Sequence, residues 1–420
     1  MTKIKFSDKQ REFWRESGEH RWAVKYGATR SGKTYLDYYL LPKRIRACTG
    51  SGLILLIGNT RQSLERNLLE PMREIWTESL IGRINPQTGM LNMFGRRVYA
   101  LGADKVSQTA KLQGVGLEYC YGDEVTTWNE SVFQMLKSRL SAPNAHFDGT
   151  CNPDSPTHWF KQFLDSDADI YRQAYTIDDN PFLPPSFVEN LKREYAGTVY
   201  YNRFILGQWA AAEGIIYRSF ADSLAAGDGQ FIWQGEIPRG SEIRIGVDFG
   251  GNGSQHAFVA VAVLPRFAGV IGLCSQRIDP RGTDTAFLSA RFAEFAESVF
   301  YNFGEIHAVF CDSAEQVLKN SLRSALKNTR FNWLADRIYN SKKIPITDRI
   351  RLTSILMGGG RFWYTPAAAS LRDALASALW NGKHAGRDER LDDGTTDIDT
   401  LDAFEYTIER DYKKYLRLQE

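Results

Sequence analysis

The octapeptide Gly27-Ala28-Thr29-Arg30-Ser31-Gly32-Lys33-Thr34 has the spacing GxxxxGK[ST]. Consecutive backbone N–H groups in such a loop can wrap a polyphosphate, and the glycines permit the close approach. Lys33 would bring its charge to the β- and γ-phosphates, and Thr34 its hydroxyl to Mg²⁺; Ser31 and Gly32 belong to the same wrap. Arg30 could reach a phosphate or point to solvent. Upstream, Gln10 in FSDKQREFW could read an adenine edge or face solvent on a helix. A nucleotide hydrolase also needs an acid for the metal and a group that orients water. Gly122-Asp123-Glu124-Val125 offers both, with Asp123 near the metal and Glu124 on the attacking water. Arg139, in MLKSRLSAP, could stabilise transition-state charge from a neighbouring subunit or lie on a helix surface.

The second half carries separated aspartates. Asp248 ends the apolar stretch IRIGVD, Asp312 ends HAVFCD, and Asp402 lies in DIDTLDAFEY with Asp399 one turn earlier. Carboxylates from two strand ends and one helix can converge on hard divalent cations, which prefer oxygen ligands. Two such ions could activate water and stabilise the leaving oxygen of a phosphodiester. The same aspartates could instead cap helices or form turns. Asp388, Asp392, Asp393 and Asp397 crowd the segment before Asp402, which could be a solvated acidic loop.

These residues need rigid elements behind them. Trp22 to Tyr26 reads as a strand running into the phosphate loop, with a helix starting at Gly32 or Lys33. Leu53 to Ile57, bounded by Gly52 and Gly58, reads as a buried parallel strand, and residues 61–80 have helical periodicity. DDNPFLPPS at 178–186 breaks regular structure with Pro181, Pro184 and Pro185, and 187–206 reads as a helix or helix pair. Glycines and a proline in 221–241 mark a domain boundary. Strands are expected at 243–248, 259–264, 270–274 and 308–311, and helices at 284–300 and 400–415. Both halves are therefore α/β. The expected organisation is an N-terminal domain over 1–176, a lid or linker over 177–240, and a C-terminal domain over 241–420.

The 420 residues suit two or three domains, and 52 Lys and Arg against 50 Asp and Glu leave a net charge of +2. A wholly basic nucleic-acid coat is excluded; a local basic groove is not. The five cysteines form no CxxC pair, which argues against a zinc ribbon or a disulfide framework and fits a reducing compartment. The N-terminus is polar, and the apolar run at Leu53–Ile57 is far too short to span a bilayer.

Together these elements resemble the large terminase subunit of tailed bacteriophages, from about Phe6 to Tyr406. GATRSGKT resembles that family's ATPase loop, and KLQGVGLEYCYGDEV its second ATPase motif. Gly149-Thr150-Cys151-Asn152-Pro153 followed by His158-Trp159-Phe160 resembles its coupling motif. DDNPFLPP, LKREYAG and RFILGQWAAAEGIIY are similar to the region that links its two domains. VDFG, FCDS and DTLDAFEY resemble the three acidic motifs of its RNase H-like nuclease. The third departs from the pattern: Asp399 stands where the family often has histidine. Glu118, within the acid-bearing strand, is a lesser departure.

The resemblance implies a P-loop ATPase of the ASCE type with a parallel sheet, followed by an RNase H-like α/β nuclease. ATP with Mg²⁺ would bind at Gly27 to Thr34 and Asp123, and Thr150 and Asn152 would couple γ-phosphate loss to DNA movement. Asp248, Asp312 and Asp402, with Asp399 as a further candidate ligand, would hold two divalent cations, Mg²⁺ or Mn²⁺. Implied partners are double-stranded DNA, the portal of a procapsid, a small terminase subunit and, during packaging, a ring of identical subunits; the isolated chain could be a monomer. The implied location is the cytoplasm of the infected host, not the mature virion and not a membrane. Arg96-Arg97 and Lys342-Lys343 are candidates for DNA phosphates or for solvation. Two other classes remain: a phosphate-loop translocase or helicase whose second half binds DNA without cutting, and an assembly protein that binds nucleotide without turnover.

Overall fold

The computed structural model describes residues 5–108, 114, 116–250, 255–279, 284–327, 329–382 and 388–417. The chain divides into two compact units, Met1–Val188 with Val199–Ala211, and Glu189–Thr198 with Ala212–Glu420.

The first unit is built on a seven-stranded sheet. Its strands are β1 (Trp22–Gly27), β2 (Leu53–Gly58), β3 (Met90–Met93), β4 (Arg96–Gly102), β5 (Leu117–Gly122), β6 (His146–Cys151) and β7 (Ile170–Tyr175). Their order is β3-β4-β2-β5-β6-β1-β7, parallel throughout except for the β3–β4 edge pair. The apolar run of β2 follows from burial on both faces: Leu55 and Ile57 enter one core, Ile54 and Leu56 the other. Only β6 lies between the phosphate-loop strand β1 and the acid-bearing strand β5. Glu118, the polar interruption in β5, accepts bonds from the Thr49 and Gly50 amides and the Thr49 hydroxyl, and so pins the turn that leads into β2. The helix expected over 61–80 runs from Arg61 to Trp76 through a π-helical stretch at Glu65–Leu69, and stops where Thr77 turns to φ 75°.

The second unit holds a six-stranded sheet of β8 (Glu242–Asp248), β9 (His256–Val263), β10 (Val270–Ile278), β11 (Ile306–Cys311), β12 (Ile338–Asn340) and β13 (Phe362–Tyr364). The order is β12-β11-β8-β9-β10-β13. β8, β9 and β10 form an antiparallel meander, and β11 then β12 extend it in parallel from β8. This is the RNase H-like arrangement. The helix Thr285–Phe303 packs Phe292, Phe295 and Val299 into the core beneath the sheet.

The stretch 177–240 forms no unit of its own. Residues 177–188 and 199–211 join the first unit; 189–198 and 212–240 join the second. The change at 211–212 falls upstream of the glycine-rich stretch 221–241. The reason is packing: Ile216 donates its amide to Ala378, and Phe220, in the helix Arg218–Ala226, packs on Phe231, Phe362 and Tyr364.

Candidate functional site

In the first unit, β1 ends at Gly27 and the helix α1 (Lys33–Ala47) begins after a cap at Gly32 with φ 85°. Gly27 has φ 139°, and a Cβ there would lie 1.9 Å from the Tyr175 carbonyl oxygen, so glycine is required. Arg30 also adopts a left-handed conformation, φ 57°, and its carbonyl accepts from Asn180 Nδ2 at 2.7 Å. Ser31 is buried and donates to the Ala28 carbonyl at 2.8 Å. The Lys33 ammonium is tied into the loop, 2.9 Å from the Gly27 carbonyl and 3.2 Å from Asn152 Oδ1. Burial pushes it down to about 8, against the favourable charges of nearby groups that include Asp123 and Glu124. Thr34 occupies the first turn of α1.

Asp123 follows β5 and is buried. It accepts 2.9 Å from Thr150 Oγ1 and a further bond from Asn67. Burial, then the neighbouring Glu124 carboxylate, push Asp123 up to about 6. Such a poorly compensated acid fits a cation site, and Thr34 and Asp123 are hard oxygen donors suited to Mg²⁺. Glu124 has φ 50°, ψ 48°, a conformation uncommon outside glycine that clusters at functional sites. Asn152 meets Lys33 through its side chain and accepts from Thr126 Oγ1 through its carbonyl at 3.0 Å. The loop, the segment after β5 and the end of β6 are thus stitched together.

Two expected residues sit differently. Gln10 is buried, with its Nε2 on the Gly32 carbonyl at 2.8 Å and its Oε1 on the Ser7 amide at 2.9 Å. The first bond braces the phosphate loop and the second closes the N-terminus of helix Asp8–Glu16, so both ends of the amide are engaged within the protein. Arg139 is the last residue of the helix Glu130–Arg139; its buried Nε has no hydrogen-bond partner among the described residues. In KLQGVGLEYCYGDEV, residues 111–113 and 115 lie outside the described residues.

In the second unit, Asp248 closes β8 and Asp312 follows β11, while Asp399 and Asp402 lie on α2 (Ile398–Ile408). Close approach positions them: a Cβ on Gly246 would lie 1.7 Å from the Ala403 carbonyl oxygen, so a glycine on β8 lets α2 cross directly over the strand. Asp248 is 8% exposed and accepts 3.0 Å from Tyr406 Oη. Burial, then the charges of Asp402, Asp399 and Asp312, push it up to about 8. The four carboxylates therefore share one electrostatic neighbourhood.

They do not form a closed cage. Among the described residues no three His, Cys, Asp or Glu side chains stand close enough together to hold a metal ion. Each expected ligand has another partner: Asp312 pairs with Lys343 Nζ at 2.6 Å, Asp399 accepts from the Gln255 amide at 2.7 Å, and Asp402 bonds Arg390 and, at 3.2 Å, Arg349. The donors fit hard divalent ions, and the raised Asp248 fits a site completed by positive charge. Tyr406, Arg349 and Arg390 were not legible as site residues, and Lys343 was legible only as a candidate for DNA phosphates, not as a partner of Asp312. Tyr406 carried a signal, one turn after Asp402 on the same helix.

Residues 25–221 match the family described as terminase large subunit, T4likevirus-type, N-terminal. No curated protein matches the chain. Among solved structures, the large terminase of a thermophilic bacteriophage is similar over 97% of this chain and 99% of its own, with TM-score 0.79 and 22% identity. The same terminase in complex with ADP covers 96% and 99%, with TM-score 0.76 and 21% identity. Its complex with ATP-γ-S covers 96% and 99%, with TM-score 0.75 and 22% identity. Residues 25–221 are thus similar to the N-terminal region of the terminase large subunit, and nearly the whole length of the chain has the fold of a phage large terminase.

Proposed function

We propose that this chain is the motor and nuclease of viral genome packaging. ATP hydrolysis in the first unit drives double-stranded DNA into a procapsid, and the second unit cuts concatemeric DNA. The observation that carries the reading is the hydrogen-bonded set of Lys33, Asn152, Thr150 and Asp123, which joins a phosphate loop to an acid and to a neighbouring strand.

In the motor, the loop amides from Gly27 to Thr34, with Arg30 beside them, hold the phosphates. Lys33 exchanges its carbonyl partners for phosphate oxygens. Thr34 and Asp123 are the residues that would hold Mg²⁺, which neutralises developing charge on the phosphates. Glu124 orients the attacking water. Loss of the γ-phosphate returns Lys33 to Asn152, and Asn152 with Thr150 passes the change along β6. Arg139 acts across a subunit boundary, so turnover depends on assembly into a ring. The thermophilic phage terminase solved with ADP and with ATP-γ-S supports nucleotide binding in this fold.

In the nuclease, Asp248, Asp312 and Asp402 would hold two divalent cations, which activate water and stabilise the leaving oxygen. Tyr406 orients Asp248, and Arg349 and Arg390 fix Asp402. DNA, the portal and a small terminase subunit are the partners, and the site of action is the infected host's cytoplasm. Among the described residues no helix is long and apolar enough to cross a membrane. One observation favours a second reading, a translocase whose second unit binds DNA without cutting: cationic side chains already occupy Asp312 and Asp402.

Plasmid cleavage by the full chain in Mn²⁺ or Mg²⁺, beside Asp248→Ala and an EDTA control, separates the two. Cutting that needs metal and is lost in the variant is the expected result. Intact DNA in every metal, with DNA-stimulated ATPase present, transfers the assignment to the non-cutting translocase. Glu124→Gln should keep ATP binding and stop turnover; a variant that still hydrolyses ATP removes Glu124 from its role.

A further inference from the structure

Lys343 is aimed at Asp312 by a cradle of backbone hydrogen bonds. The buried Glu409 carboxylate accepts from three consecutive backbone amides, those of Lys342 at 2.5 Å, Lys343 at 2.8 Å and Ile344 at 3.1 Å. The Ser341 amide donates to the Cys311 carbonyl at 2.7 Å, which ties the start of this loop to the end of β11, one residue before Asp312. Wrapped in this way, Lys343 takes φ 49°, a conformation that costs a non-glycine residue energy. The result is an ammonium 2.6 Å from Asp312 Oδ1.

The cations at this site differ in freedom. Arg349 and Arg390 are 6% and 5% exposed and both also pair with Glu405, so they are fixed. The Lys343 side chain is 42% exposed, on a flexible four-carbon stem whose backbone is held. It can leave Asp312 without disturbing the fold.

We propose that Lys343 is a phosphate-positioning residue of the carboxylate site. Its ammonium neutralises Asp312 until a divalent cation is bound there, and then passes to a non-bridging oxygen of the DNA backbone. The transfer follows from charge: a cation at Asp312 repels the ammonium, and an adjacent phosphate attracts it. The proposal rests on the nuclease reading above. It gives Lys343 two opposed effects, weakening metal binding and strengthening DNA binding.

The test measures Mn²⁺ binding to the full chain without nucleotide, by the loss of the free-ion electron paramagnetic resonance signal, and the KM and kcat of plasmid cleavage. Asp248→Asn serves as the control that assigns the binding to the carboxylates. Lys343→Met should bind Mn²⁺ about twofold to fivefold more tightly, the factor set by losing an exposed ion pair. Its KM for DNA should rise about tenfold, as for loss of a hydrogen bond to a charged group, with kcat changed less. Lys343→Arg should restore the KM. Unchanged or weaker Mn²⁺ binding in Lys343→Met, or a fall in kcat alone, overturns the proposal. If the wild-type chain neither binds Mn²⁺ through the carboxylates nor cuts, the nuclease reading itself fails and takes this proposal with it; wild-type cutting with an indifferent Lys343→Met sinks the proposal alone.

Discussion

The two candidate sites are assembled by different means. The nucleotide site is made of backbone: glycines, loop carbonyls and a helix start place its groups, and its lysine is already seated among them. The carboxylate site is made of side chains from β8, β11 and α2, and each acid except Asp248 leans on a cation or an amide. Backbone dipoles attract a polyphosphate without repelling one another. Clustered carboxylates repel, so the protein must dilute their charge until a cation replaces it. Each unit also buries ions behind its site. In the first, Arg44 and His146 hold Asp148, and Lys25 with Tyr121 holds Asp37. In the second, the buried ions grip a candidate ligand itself, since Arg390 bonds both Glu405 and Asp402.

That contrast can be broken most strongly at Asp148. Burial alone would raise this carboxyl, but the charges of His146 and Arg44 hold it well below the usual carboxylate range. A depressed acid adds stability above its unfolded pKa of about 3.9, and that stability is lost as pH falls towards the folded value. Asp148→Asn should therefore cost about 3–5 kcal/mol in chemical denaturation at pH 7, since Arg44 is left buried without its partner. The gap to wild type should narrow below pH about 4. A gap that is constant with pH would mean that the charges on Asp148 are not what stabilises the unit.

Next in size is Lys33→Ala, which should slow ATP turnover roughly 10²–10³-fold, as for other single groups that stabilise transition-state charge. Cleavage without nucleotide should be untouched. Gly27→Ala should act through the backbone alone. Its Cβ would strike the Tyr175 carbonyl, and its φ of 139° strains any L residue. A loss of about 1–3 kcal/mol in stability, together with impaired nucleotide binding, is expected. Normal binding in Gly27→Ala would contradict a site built from backbone.

The same distinction governs how much could be read in the sequence. The phosphate loop was legible because its chemistry is local: eight consecutive residues specify both the geometry and the ligand. Strand β2 was legible because burial on both faces leaves a continuous apolar run. The acids were legible as candidates, but not their partners, because Arg349 and Arg390 reach Asp402 through tertiary packing that no spacing encodes. The change of unit at 211–212 was not legible for the same kind of reason. Glycines in 221–241 look like a linker, whereas Phe220 commits its helix to the second core. Glu118 looked like a flaw in a strand and is the acceptor that shapes the preceding turn.

Gln10 is the subtlest case, because one side chain could serve either backbone or ligand. Its Nε2 meets the Gly32 carbonyl and its Oε1 meets the Ser7 amide, so the observed amide supports the loop and caps a helix. A residue that reads adenine discriminates between bases; a residue that braces the loop does not. Gln10→Ala should therefore cost about 1 kcal/mol of stability through the lost side-chain bond to the Ser7 amide. It should weaken ATP and GTP binding by the same factor, because the loop that holds their common phosphates loses its brace. Competition binding of the two nucleotides to wild type and Gln10→Ala measures the ratio directly. If the preference for ATP over GTP collapses while stability holds, Gln10 reads the base, and the nucleotide site is less purely a backbone device than its geometry indicates.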